Sequence, residues 1–335
     1  TDEPCRQKLG DQVARKIGDA ELKCSRIVVM SCSDFSKKEI LTTSGLDAIC
    51  PRFSPDGKNV AYLTVGLAKD EETANLFVVS RSSREPMFVT GGVALGYDWR
   101  LDSQAIAYLR QDEGEKTVML GAIFEQRVCE ADGKLLAKAY DGSDSVPAGS
   151  VCTGESKQLV GTLFQPLMKI EYGAEGRLFF SSASITIPSS DLDESKCSVF
   201  CYDALTGVVS NILPASVADC VGEGAYFFSL SPDGGRILLP MEDNRFGIYE
   251  LGTKSLKLPI EESEEFDKDN AMIPSWRGNG QVTCQVSPQS RFVAGRAKQS
   301  DRNEVVVLNA AGEFQSMLSG NWPDDALPGA SKDDN

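Results

Sequence analysis

Short runs of alternating apolar and polar residues recur along the chain, separated by tight polar turns, and this pattern predicts β-hairpins. The two clearest runs are Pro51-Arg52-Phe53-Ser54-Pro55-Asp56-Gly57-Lys58-Asn59-Val60-Ala61-Tyr62 and Leu230-Ser231-Pro232-Asp233-Gly234-Gly235-Arg236-Ile237-Leu238-Leu239. Proline presets φ, aspartate bonds its own backbone and glycine tolerates positive φ, so Ser-Pro-Asp-Gly turns the chain back sharply. Beyond Tyr62 a polar loop leads to Asn75-Leu76-Phe77-Val78-Val79, a second turn at residues 80–85, and then Met87-Phe88-Val89-Thr90. Four strands form one unit, and its recurrence fixes the architecture before any site is considered.

Weaker copies lie beside these. One is Tyr97-Asp98-Trp99-Arg100-Leu101-Asp102-Ser103-Gln104-Ala105-Ile106-Ala107-Tyr108, with Leu-Asp-Ser replacing Pro-Asp-Gly. Another runs from Ile170 to Phe180 and continues through Ser198-Val199-Phe200-Cys201-Tyr202-Asp203. A last copy starts either at Pro274-Ser275-Trp276-Arg277-Gly278-Asn279-Gly280 or at the turn Ser287-Pro288-Gln289-Ser290; the aromatic and the Gly-Asn-Gly turn favour the first. At the front, Ile27-Val28-Val29-Met30 and Lys38-Glu39-Ile40-Leu41-Thr42 read as the last two strands of a unit whose first half is missing.

An aromatic, Ser-Pro-Asp-Gly, a polar residue and an apolar strand closing near an aromatic together resemble the WD-like repeat of TolB-like β-propellers. The resemblance covers residues 26 to 320 and implies an all-β fold, a single β-propeller of about six four-stranded blades. The expected division is a helical extension over 1–25, a propeller over 26–322 and a flexible tail over 323–335. Leu9, Val13, Ile17 and Leu22 give that extension its near-helical spacing. The resemblance also implies a role in the cell envelope, where such propellers dock a peptidoglycan-associated lipoprotein and peptide segments of partners.

Composition narrows the reading. The net charge of −15 opposes nucleic-acid binding, whose footprint is basic. No run reaches the roughly 18 apolar residues of a membrane span. A soluble monomer without membrane insertion is expected. Ten cysteines without a Cys-x-x-Cys pair favour an exported protein, periplasmic or extracellular after loss of a signal peptide, with several disulfides. Buried free thiols, packing as small hydrophobes, are the alternative. Residues 125–164 exceed a strand pair and its turn, so they read as a long hairpin or insertion stapled by Cys129 and Cys152. Cys197 and Cys201, about 13 Å apart along a strand, should not pair.

The chain has no histidine, which excludes His-dependent triads and His-ligated metals, and it has neither a Gly-x-Ser-x-Gly elbow nor a phosphate loop. A non-enzymatic binding or scaffold module is the leading expectation. A carboxylate- or Ca²⁺-dependent hydrolase or lyase is the alternative. Asp56 and Asp233 read as turn formers rather than site residues.

In a four-stranded blade, the second-to-third loops share one face with the tunnel mouth. Those loops hold Asp70, Glu71 and Glu72; Asp112 and Glu113; Asp191, Asp193 and Glu194; and Glu242 with Asp243. The opposite turns hold Lys37, Lys38, Lys58, Arg81, Arg84, Arg100, Arg177, Arg236 and Lys254, while Arg110, Lys116, Lys298 and Arg302 break the pattern, so the segregation is partial. The expectation is one acidic and one comparatively basic face, the acidic one capturing a basic protein or peptide partner. No cofactor is expected; Ca²⁺ is the ion that clustered carboxylates would suit, although no EF-hand spacing is present.

Overall fold

The structure is a computed structural model. It describes residues 27–30, 38–40, 48–65, 74–112, 120–141, 149–184, 197–221, 227–241, 246–259, 274–278, 280–286 and 304–317. The chain divides into two compact units, residues 1–226 and 227–335.

The first unit opens with β1 (Val28–Met30) and β2 (Lys38–Ile40), an antiparallel pair. A first module follows: β3 (Ala48–Phe53), β4 (Asn59–Val65), β5 (Ala74–Ser80) and the 14-residue β6 (Pro86–Trp99). The start of β6 pairs with β5, and its end pairs with β7 (Ala105–Asp112). One strand is therefore the outer strand of the first module and the inner strand of the second. The register shifts between Val93 and Tyr97, and Gly92 sits at φ +72, where the strand bends from one sheet into the next.

The second module continues through β8 (Leu120–Arg127), a hairpin of β9 (Ala137–Tyr140) and β10 (Gly149–Cys152), and the 17-residue β11 (Ser156–Tyr172). Again one strand serves twice, since β11 pairs first with β8 and then with β12 (Arg177–Ser184). β13 (Ser198–Asp203) and β14 (Val209–Asn211) complete the third module. The short helix α1 (Ala215–Val221) follows, burying Val217 and Val221 one turn apart; the sequence pattern does not anticipate it.

The second unit holds two more antiparallel modules. The first is β15 (Ser229–Leu230), β16 (Arg236–Pro240), β17 (Phe246–Glu250) and β18 (Ser255–Lys257). The second is β19 (Ser275–Arg277), β20 (Gln281–Val286), β21 (Glu304–Leu308) and β22 (Phe314–Met317). The final copy thus starts at the Trp276 segment and turns at residues 277–281, as the Gly-Asn-Gly pattern predicts.

The cores lie between the faces of successive modules. Leu63, Leu76 and Val78 of the first pack on Trp99, Ile106 and Tyr108 of the second. Leu109 and Ile123 meet Leu178, Phe180 and Phe200, and in the second unit Leu238, Phe246 and Ile248 meet Val282, Val306 and Leu308. The other face of the first module, Val60, Tyr62 and Phe77, is covered by Ile27 and Val29, so the β1–β2 pair stacks as a half-module. At about 25 cal/mol per Å² of apolar surface, this face-to-face burial is the main stabilisation. The expected N-terminal helix and C-terminal tail lie outside the described residues.

Candidate functional site

The tight turns repeat in geometry where they differ in sequence. Gly57 donates its N–H to Ser54 at 2.8 Å, Ser103 to Arg100 at 2.9 Å, Gly234 to Ser231 at 2.8 Å and Gly280 to Arg277 at 2.9 Å. The four donors have φ of 69°, 64°, 68° and 75°. Ser103 therefore takes a left-handed position that glycine fills elsewhere. Its hydroxyl accepts the Asp56 N–H at 3.0 Å, joining neighbouring turns.

Asp56 and Asp233 are turn formers. Asp56 accepts the Ser54 hydroxyl at 2.6 Å and the Lys58 N–H at 3.1 Å. Asp233 accepts the Ser231 hydroxyl at 2.5 Å and the Gly235 N–H at 3.0 Å. These bonds hold the Asp233 carboxyl below its ordinary range, and at Asp56 they outweigh the upward push of burial.

The basic residues at this end are largely engaged. Arg100 grips Asp102 at 2.8 Å and Glu125 at 3.0 Å, and Arg236 lies 3.2 Å from Asp233 and 3.5 Å from Glu250. Arg81 donates to the Gly57 carbonyl at 3.2 Å, and Arg177 to that of Ala174 at 3.4 Å. Long cationic side chains here tie turns together, so the charge count at this end overstates what is free to attract a ligand.

A charged clasp joins the inner strands. Asp98 on β6 accepts Arg52 of β3 at 2.9 Å and the backbone N–H of Tyr172 on β11 at 2.8 Å. The Trp99 indole donates to the Arg52 carbonyl at 3.1 Å, and Trp276 repeats that bond to Ser229 at 2.9 Å, each across 47 residues. Sequence reasoning missed the clasp. Its signal is the residue before the aromatic in the first three copies, Arg52, Asp98 and Glu171, which changes sign from the first to the second.

The segment after β8 is an insertion, as its length predicts, but it is not stapled. Cys129 and Cys152 are free thiols, as are Cys50, Cys201, Cys220 and Cys284. Cys129 is buried in the core of the first two modules and accepts the Asn59 amide at 3.5 Å; Cys152 donates to the Arg127 carbonyl at 3.3 Å. Other contacts replace the staple. β10 adds to β6 in parallel through Ser150–Met87 and Val151–Phe88. Lys58 donates to the Asp132 carbonyl at 2.7 Å, and Asn59 to that of Gly133 at 3.1 Å.

The insertion thereby roofs a cleft of about 690 Å³ on the turn side of the first module. Its walls are the turns at residues 56–58 and 80–85 and the insertion at residues 132–135; half-buried Leu135 supplies apolar surface, while Met87 is fully buried.

Most of the acidic residues proposed from sequence, Asp70, Glu71, Glu72, Glu113, Asp191, Asp193, Glu194, Glu242 and Asp243, lie outside the described residues. Asp112 is the last residue of β7, opposite Leu120 in the ladder, at the end remote from the Ser103 turn. Among the described residues no three His, Cys, Asp or Glu side chains group as a metal would require. No described helix is long and apolar enough to cross a membrane.

Within the first unit, antiparallel modules are stitched edge to edge and packed face to face, and within the second unit two separate four-stranded modules pack face to face, as the blades of a β-propeller do. The fold is TolB-like. The chain is similar to TolB from Acinetobacter baumannii (14% identity, TM-score 0.51), covering 86% of this chain and 58% of that one. It is equally similar to a putative TolB from Agrobacterium tumefaciens (14%, TM-score 0.51), covering 89% and 90%. A prolyl endopeptidase shares the fold at 13% identity and TM-score 0.52, with 85% of this chain matching 36% of that protein. At such identities the likeness is one of fold. No family profile matches the sequence, and neither does any curated protein.

Proposed function

We propose that the chain is a non-enzymatic propeller module, working in the periplasm or outside the cell as a monomer, that captures a basic protein or peptide segment. The capturing surface is the acidic loop end: Asp70, Glu71 and Glu72, Asp112 and Glu113, Asp191, Asp193 and Glu194, and Glu242 with Asp243. The observation that carries this reading is the strand order. Each module is an antiparallel meander, so its second-to-third connection leaves from the end opposite its tight turn. The acidic residues all belong to, or adjoin, those connections. The TolB-like fold supports a scaffold role, and the lack of histidine supports a non-catalytic one.

The test is calorimetric titration with an oligolysine peptide at low and physiological salt. Binding that weakens as salt rises, and falls at least about tenfold when Asp70, Glu71, Glu72, Asp191 and Asp193 are neutralised together, supports the reading. Equal affinity of wild type and variant overturns it.

A further inference from the structure

The insertion carries a second inference, independent of the acidic loops. β10 adds to β6, the outer strand of the first module, and β9 adds to β10, so the sheet of that module ends on the short strand Ala137–Tyr140. That end is bare. Among the described residues β9 pairs with β10 alone, and Ala137, Lys138 and Ala139 are all exposed.

The ladder fixes which backbone groups are open. Lys138 lies opposite Val151 and Ala139 opposite Ser150, and just before the strand Thr153 donates its N–H to the Leu136 carbonyl at 2.8 Å. Hydrogen bonding alternates along an antiparallel pair, so Leu136, Lys138 and Tyr140 turn their N–H and C=O groups toward β10, and Ala137 and Ala139 turn theirs outward. Among the described residues no hydrogen bond meets those outward groups. Lys138 stands on the face opposite the two alanines. Its neighbour in the ladder is the uncharged Val151, and no described carboxylate pairs with it.

We propose that the β9 edge takes up an extended segment of a protein partner as a further strand, with a carboxylate side chain opposite Lys138. The insertion itself is held this way, through β10 on β6. Ala137 and Ala139 exchange backbone bonds with the segment, and their small side chains leave room for it. Lys138 falls at a non-hydrogen-bonded position of the new pair, where opposed side chains come closest. The lysine also guards against a second copy, because the self-pairing that bonds Ala137 to Ala139 of another copy sets Lys138 against Lys138.

The test is fluorescence anisotropy with labelled Thr-Val-Glu-Val-Thr and its neutral counterpart Thr-Val-Gln-Val-Thr. Wild type should bind the Glu peptide at least about twofold more tightly, and Lys138→Glu should reverse that preference. Ala139→Pro removes an N–H that faces away from β10, a place where an edge strand tolerates proline, so it should abolish binding of both peptides at an unchanged thermal midpoint. Failure of wild type to bind, binding retained by Ala139→Pro, or the same preference in wild type and Lys138→Glu overturns the proposal. A wild-type dimer in sedimentation that Ala139→Pro dissociates also overturns it, giving the edge to a second copy. The variant neutralised at Asp70, Glu71, Glu72, Asp191 and Asp193 should bind the Glu peptide like wild type, which separates a failure here from a failure of the acidic-loop reading.

Discussion

Ser103 shows how a single side chain can satisfy two demands that conflict. Its φ of 64° costs about 1 kcal/mol in a residue with a Cβ, while its hydroxyl returns about 1 kcal/mol by accepting the Asp56 N–H. Ser103→Gly should therefore leave the urea midpoint nearly unchanged, whereas Ser103→Ala keeps the strain, loses the bond and should cost about 1 kcal/mol. Equal losses in both variants would contradict this division.

The turn carboxylates make a related prediction about acid. Backbone N–H groups of Thr206 and Leu205 hold Asp203 low, and bonds from Ser231 and Gly235 do so at Asp233. At Asp56 and Asp102 hydrogen bonds outweigh burial in the same direction. Each folded value lies below its unfolded one, so the stabilisation is complete above the unfolded values near about pH 3.9 and is lost as pH falls through the folded values. Asp98, pushed up by burial, titrates with the opposite sign, so the test is a comparison: below about pH 4 the urea midpoint should fall less steeply in Asp233→Asn than in wild type.

At the scale of elements, the insertion is held at its base by one close approach. A Cβ at Gly154 would stand 1.7 Å from the Arg127 carbonyl oxygen, which is backbone and cannot step aside. Gly154→Ala should cost about 3 kcal/mol or detach the hairpin. Gly207→Ala, at φ +70 with nothing within 4 Å, should cost only about 1 kcal/mol. Thermal unfolding of the two variants gives the comparison.

The tight turns and the strands beside them were legible because their chemistry is local: Pro-Asp-Gly, Leu-Asp-Ser and Gly-Asn-Gly each declare a turn within a few residues. The parallel pairing of β10 with β6 was not, because it joins Ser150 to Met87 across a connection that no turn residue announces. Helix α1, seven residues long, is too short for periodicity to reveal, although Pro214 stands just before it. The cleft escaped for the same reason as the clasp, since both depend on residues brought together from separate modules. Charge counting could not show that Arg100 and Arg236 are consumed by their own turns.

Across the whole molecule, burial rather than bonding sets the state of the described thiols. Burial pushes Cys129 and Cys284 up to about 12 and Cys201 to about 11, so they remain protonated at neutral pH. Cys50 and Cys220 are exposed. A disulfide-exchange reagent at pH 8 should label Cys50 and Cys220 rapidly in the native protein and reach Cys129, Cys201 and Cys284 only on denaturation. Mass mapping of labelled peptides reads the order, and native labelling of Cys284 would contradict the packing.

The double service of β6 and β11 has a consequence for how the protein comes apart. Proteases cut exposed, flexible connections, and modules linked by such loops are released one at a time. From the first module to the second, and from the second to the third, the chain passes as unbroken strand, and Gly91 and Gly92 at the first bend are half-buried. A protease that nicks loops within these modules finds no seam between them. The fragments should stay together under native conditions and separate only in denaturant.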